Sequence, residues 1–221
     1  MRWSVALSLS LLALSLSSAA GAQTRPPRGW TGADDSTVRS ARARGLAAVV
    51  SQADCGGGSY SIVNSPDGTS VSVLFDNFTA QGGQAVAGTA RTRCAVRIPL
   101  NLPAGYSLGV FRMDYRGFAH LETGQIAQLS VDYNAGGTGR GRNYHRALPG
   151  AYDGDFVFGE NIGAGLMRRA GCGEEAVLSL AATLTVRPNG GSPEAAITLD
   201  SIDASARSGV TFFIDLKKCG T

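Results

Sequence analysis

The stretch from Val177 to Val186 constrains the fold more than any other part of the chain. Val177, Ser179, Ala181, Thr183 and Thr185 alternate there with Leu178, Leu180, Ala182, Leu184 and Val186. A side-chain period of two belongs to an extended strand, and a leucine-rich face opposite a small, polar one belongs to a strand buried on one side. Such a strand needs hydrogen-bonded neighbours and a second apolar layer over its leucine face. Similar runs recur at Val71, Val73 and Phe75, at Cys94, Val96 and Ile98, at Leu129, Val131 and Tyr133, and at Val210, Phe212, Ile214 and Leu216. Gly, Pro, Asn or Asp closes most of them, as turns require. The run from Tyr106 to Tyr115 reads as Leu108, Val110, Arg112 and Asp114 on one face, with Gly109, Phe111, Met113 and Tyr115 on the other. Phe111 and Phe212 are expected in the core. Pro188-Asn189-Gly190-Gly191 reads as a hairpin turn, with Ala195, Ile197 and Leu199 on the return strand. Eight or more strands without a long amphipathic helix predict an all-β fold. The expected architecture is an antiparallel β-sandwich, jelly-roll-like in outline, with a barrel as second choice.

The N-terminus is organised differently. Arg2, an apolar run from Val5 to Leu16 and the small residues Ala19, Ala20, Gly21 and Ala22 have the layout of a secretory signal peptide over residues 1–22. The run is shorter than the roughly 20 residues that span a bilayer, so no integral membrane segment is expected after cleavage. Residues 23–54, rich in Pro, Gly, Arg and Ala, read as a flexible or partly helical leader, with Asp35 or Ser36 as N-cap. Residues 55–221 read as a single β domain, secreted into the extracellular space or cell envelope. Lys and Arg number 20 against 17 Asp and Glu, and loss of Arg2 with the signal leaves a net charge of about +2. That overall charge does not point to nucleic acid or another polyanion.

Cys55, Cys94, Cys172 and Cys219 are the only cysteines. In an exported chain an even count favours full pairing. Of three connectivities the sequential one, Cys55 to Cys94 and Cys172 to Cys219, is preferred because each bridge then closes one half of the chain. No metal or other cofactor is expected: no two cysteines have Cys-x-x-Cys spacing, and His120 and His145, the only histidines, lie far from them in sequence.

Particular segments resemble a known family. Ser65-Pro66-Asp67-Gly68-Thr69, Val73-Leu74-Phe75-Asp76-Asn77-Phe78, Ile98-Pro99-Leu100, Pro103-Ala104-Gly105-Tyr106 and Asp114-Tyr115-Arg116-Gly117 carry the likeness in the first half. Cys172-Gly173, Leu184-Thr185-Val186-Arg187, Asn189-Gly190-Gly191 and Asp200-Ser201-Ile202-Asp203 carry it in the second. Over about residues 55 to 219 the chain resembles domain-of-unknown-function family 4360, secreted proteins of bacteria and fungi. The resemblance implies an extracellular, cysteine-stabilised β domain and no particular activity.

Catalytic signals are sparse. There is no Gly-x-Ser-x-Gly nucleophile turn. His120 sits among apolar neighbours and reads as a surface strand histidine rather than a base. Asp114, Glu122, Asp153, Asp155 and Glu160 are acids for a polysaccharide hydrolase or lyase, but no paired-acid signature singles out two of them. Asp153-Gly154-Asp155 has two oxygen ligands around a glycine but lacks the rest of a calcium loop, so a turn is the simpler reading. Asn77-Phe78-Thr79 matches a glycosylation sequon, meaningful only in a host that glycosylates. The leading expectation is a non-enzymatic extracellular binding or surface-interaction module, with a glycan or a protein as partner. Loops at Ala135 to Tyr144 and Tyr152 to Asn161 would recognise it, and Tyr144, His145, Tyr152, Asp153 and Asp155 are the candidate binding residues. A structural coat or matrix protein is the third reading.

Overall fold

The computed structural model describes residues 47–48, 52–55, 58–83, 88–135, 141–163, 169–173, 175–189, 194–199 and 209–220. The signal segment, the leader as far as residue 46 and its N-cap therefore lie outside the described residues. In chain order the strands are β1 (Ala47–Ala48), β2 (Gln52–Asp54), β3 (Ser59–Asn64), β4 (Ser70–Asp76), β5 (Thr79–Gly82), β6 (Ala90–Asn101) and β7 (Tyr106–Leu121). They continue as β8 (Ile126–Ala135), β9 (Arg142–Pro149), β10 (Tyr152–Asn161), β11 (Arg169–Gly171), β12 (Ala176–Arg187), β13 (Ala195–Thr198) and β14 (Gly209–Lys218).

Two sheets take up these strands. Sheet A runs β1-β6-β12-β8-β9, with β2 also on β6; sheet B runs β3-β4-β14-β7-β13-β5, with β10 and β11 also on β7. The pairings are antiparallel, and the two sheets stay separate, so the architecture is the expected sandwich and not the barrel. No helix among the described residues is long and apolar enough to cross a membrane. The leucine face of β12 behaves as its alternation predicts: Leu178, Leu180, Ala182, Leu184 and Val186 are all buried. They form one core with Val71, Val73, Met113, Tyr115, Phe212 and Ile214 of sheet B. Full burial of a side chain the size of Leu184 is worth about 1.5–3 kcal/mol relative to exposure.

Three local expectations are corrected. First, β12 and β13 do not form a hairpin. Both edges of β12 are already taken, by β6 and β8, so the chain crosses to sheet B, where β13 pairs with β5 and β7. Second, strict alternation fails in β7. The register with β14 shifts between Phe213, opposite Arg112, and Ile214, opposite Val110, leaving Phe111 as an extra residue. This β-bulge reverses the facing, so Leu108 and Val110 before it and Met113 and Tyr115 after it all enter the core. Phe111, expected inside, is only half-buried and packs beside Phe213 at 6.3 Å between ring centroids. Third, Tyr152–Asn161, expected as a recognition loop, is β10, and of the other expected loop Ala135 ends β8 while Arg142 to Tyr144 begin β9 (Arg142–Pro149). Residues 136–140 lie outside the described residues.

The disulfides join Cys55 to Cys94 and Cys172 to Cys219, the sequential pattern. Cys172 N–H donates to the Tyr106 carbonyl and Cys219 N–H to that of Gly105, so the second bridge ties β11 and the end of β14 to the start of β7. An ion pair reinforces it: Arg169 Nη1 donates to Asp215 Oδ2 at 2.8 Å and Arg169 Nε to Ser107 Oγ at 2.9 Å. Arg169 and Asp215 both stand opposite Gly109, whose missing side chain leaves the space over β7 that the guanidinium crosses.

A polar network lies between β8, β9 and β10. Tyr133 O–H donates to Glu160 Oε1 at 3.0 Å, Tyr115 O–H to Glu160 Oε2 at 3.4 Å, and Arg142 Nε to the Tyr133 hydroxyl at 3.1 Å. The Tyr144 ring stacks on Tyr115 at 4.5 Å. Burial, followed by the nearby Glu160 carboxylate, pushes the Tyr133 phenol up to about 12 and raises Tyr115 as well. Unfolded tyrosine titrates near ~10, so above that pH the unfolded chain sheds protons that the fold retains. Tyrosine-linked stability is thus fully present below pH 10 and is lost as pH rises through about 12. Denaturant unfolding at stepped pH should show this decline, and a shallower one in Glu160→Gln; a level profile through pH 12 would contradict it.

Candidate functional site

The outward face of sheet A is set by the same alternation that builds the core. With Leu178, Leu180 and Leu184 inside, Ser179, Ala181, Thr183 and Thr185 must face out. The register puts Ala181 opposite Ala95 of β6 and Asp132 of β8, and Ser179 opposite Arg97 and Asn134. Short side chains thus occupy the middle of the surface and long polar ones flank it. The result is an open trough of about 490 Å³, lined by Asp54, Ala95, Arg97, Asp132, Asn134, Ser179 and Ala181, with Val96, Tyr133, Leu180 and Gly141 also at its surface. Asn143 Nδ2 donates to Asp132 Oδ1 at 2.8 Å and orients that carboxylate. One rung along, His145 Nδ1 lies 2.9 Å from Ser130 Oγ. Because the side chains project from paired strands, the floor and flanks are held by backbone ladders.

The five residues singled out in the sequence do not converge. Tyr144 is on the inner side, buried against Tyr115. His145 is exposed on the outward face of sheet A, the only one of the five to share a face with the trough. Tyr152 is half-buried in β10, and its O–H donates to the Asp155 carbonyl at 2.6 Å. Asp153 and Asp155 are exposed on the outward face of sheet B, with Asp153 Oδ1 3.1 Å from His120 Nδ1. The trough residues Arg97, Asp132, Asn134 and Ser179 went unnoticed in the sequence. The one signal was the small, polar face of β12, which says nothing about its neighbours until the register is known.

The acids do not form a catalytic pair in a cleft. Asp114 is buried and held by Arg112 Nε at 2.7 Å, on the outward face of sheet B. Glu160 faces the opposite way, toward Tyr115 and Tyr133. Asp153 and Asp155 share a face, but they stand on an exposed strand, the Asp153 side chain being 69% accessible. Among the described residues no three of His, Cys, Asp and Glu gather as a metal site would require.

The family described as "Domain of unknown function (DUF4360)" matches residues 50–219. The chain belongs to that family. A DUF4360 assignment agrees with the segments that carried the resemblance, and the match begins just before β2 and ends at Cys219. A relative from Arthroderma benhamiae, called "Uncharacterized secreted protein", is 29% identical over 153 residues, covering 68% of this chain and 62% of the relative. The match therefore spans less than two thirds of that relative's length. Among solved structures, TmCBM61 in complex with beta-1,4-galactotriose aligns over 76% of this chain and 88% of its own, at 14% identity and a TM-score of 0.26. So slight a likeness bears on neither architecture nor ligand.

Proposed function

We propose that this DUF4360 protein is a non-enzymatic extracellular binding module that holds a polysaccharide in the trough on sheet A. Export agrees with two disulfides, which persist in oxidising compartments, and with a relative named as secreted. One observation carries the choice of surface: an open trough with a floor of Ala95, Ser179 and Ala181 and flanks of Asp54, Arg97, Asp132 and Asn134. An extended chain fits such a floor without displacing side chains. Carboxylate, amide and guanidinium groups match the donor and acceptor pairs of vicinal sugar hydroxyls. Buried aromatic residues are not needed for this reading, and Tyr144 is left to its stacking role in the interior.

The test is a glycan array followed by titration calorimetry with the exported domain. Wild type should bind at least one polysaccharide class, and Asp132→Ala should weaken binding about tenfold, the loss of roughly 1.5 kcal/mol expected for a charged hydrogen bond. The variant should unfold at the wild-type midpoint, since Asp132 is exposed. An array blank against controls, or binding indifferent to both Asp132→Ala and Arg97→Ala, would refute the proposal.

A further inference from the structure

The outward face of sheet A carries more than the trough. Arg91, Arg93 and Arg97 are exposed and occupy the same side of β6, with Ala95 between the last two. Alternate residues of a strand are roughly 7 Å apart, so the guanidinium groups stand in a column rather than a cluster. Across the ladder they face Thr185, Thr183 and Ser179, side chains too short to cover them. Three arginines elsewhere have acids: Arg112 has Asp114 at 2.7 Å, Arg169 has Asp215 at 2.8 Å and Arg142 has Glu160 at 3.7 Å. Among the described residues none of the three β6 arginines has an ion pair within 4 Å. Arg116, also without an acid, stands on the other sheet. Arg187 lies on the same outward face as the column, and among the described residues the acids there are Asp54 and Asp132, both at the trough end. The stretch at Arg91 and Arg93 is therefore locally cationic, although the whole chain is close to neutral.

We infer that the ligand is an acidic polysaccharide, whose sugars rest in the trough while its anionic groups pair with Arg93 and Arg91 beyond the trough's end. This rests on the reading of the trough as a glycan site and names the class of glycan. Arginine suits the task because its planar fork of N–H donors meets carboxylate or sulfate oxygens two at a time, with a geometry lysine lacks. Strand-borne arginines also keep their spacing, so a polymer with regularly placed charges meets several at once.

The experiment compares the intact exported chain on four polymers: polygalacturonate, its fully methyl-esterified form, dextran sulfate and unmodified dextran. Binding to at least one acidic polymer is expected, with loss on esterification or on removal of sulfate. Which acidic polymer binds distinguishes carboxylate from sulfate as the anion recognised. The double variant Arg91→Gln/Arg93→Gln should weaken binding about tenfold and flatten its dependence on salt between 0.05 and 0.5 M, roughly, the range over which surface charges become screened. Arg116→Gln, one charge removed from the opposite sheet, should bind as wild type. Equal binding to charged and neutral polymers, with the double variant unchanged, would overturn the acidic class and leave glycan recognition standing. Binding to an acidic polymer that weakens as much in Arg116→Gln as in the double variant would also overturn it, as attraction without a site. No binding to any of the four polymers, with a neutral glycan bound on the array, overturns the acidic class alone; a blank array removes both readings.

Discussion

Replacing Cys172 and Cys219 together with alanine is expected to lower the unfolding free energy by about 4 kcal/mol, the chain-entropy value for a loop of this size. The bridge spans 47 residues, a segment that includes β12, β13 and β14. Without it the unfolded chain regains the freedom of that segment. Natively, β11 would still be held by its short ladder with β7, the burial of Ala170 in the core and the Arg169 contacts to Ser107 and Asp215. For a domain of this length the melting midpoint should fall by roughly 8–16 °C. The trough is on sheet A, so binding below the midpoint should survive. The bridge from Cys55 to Cys94 closes a similar loop of 39 residues, and its loss should cost about as much. Its position differs, however: Cys55 follows Asp54 and Cys94 lies between Arg93 and Ala95 in β6, so that double variant should bind more weakly too. Denaturant unfolding of the two variants, paired with calorimetry, separates these effects. A stability loss below about 1 kcal/mol for either bridge would sink the loop-entropy account.

The second large effect concerns one missing methyl group. Gly117→Ala in β7 is expected to destabilise the protein by about 3 kcal/mol, the upper end for forced overpacking. A Cβ at 117 would overlap the Thr198 carbonyl oxygen and lie 2.7 Å from Phe156 Cζ. Neither neighbour can yield easily. The Thr198 hydroxyl donates to the Phe78 carbonyl at 3.1 Å, and Thr79 Oγ1 donates to Thr198 Oγ1 at 3.0 Å, pinning β13 where it meets β7. Phe156 is buried, with its ring stacked on Phe158 at 4.7 Å. Gly163→Ala is the control: its Cβ would meet nothing within 4 Å, and stability should stay within about 0.5 kcal/mol of wild type. If chemical denaturation shows the two variants equally stable, the close approach at Gly117 has no energetic weight.

Much of the architecture was legible because strand alternation is a local property. The leucine face of β12 and the faces of β4 and β14 follow from residue order, and the preferred sequential pairing of the four cysteines is the one the structure has. The errors share a cause. Phe111 was assigned inside because a period of two was extended through a bulge, and a bulge is visible only where the partner strand's register shifts. The expected β12–β13 hairpin failed because turn residues cannot report that β12 has both edges filled by β6 and β8. The candidate site was the least legible part. Tyr144 and His145 are adjacent in sequence, yet one stacks in the interior and the other faces solvent. Arg97, Ser179 and Asn134 are scattered along the chain, yet they lie side by side across three strands.

By itself the sequence determined the class of the fold, its membership in DUF4360 and that four cysteines can form two cross-links, because side-chain period, family segments and cysteine number are written along the chain; which cysteines pair is decided by the fold. The tertiary structure alone decided which strands became neighbours and in which register. A one-residue slip of β12 would turn Ser179 and Ala181 from the outward face to the core, and a slip of β6 would do the same to Arg97. The trough, and the column of arginines beside it, therefore exist only once β6, β12 and β8 have paired.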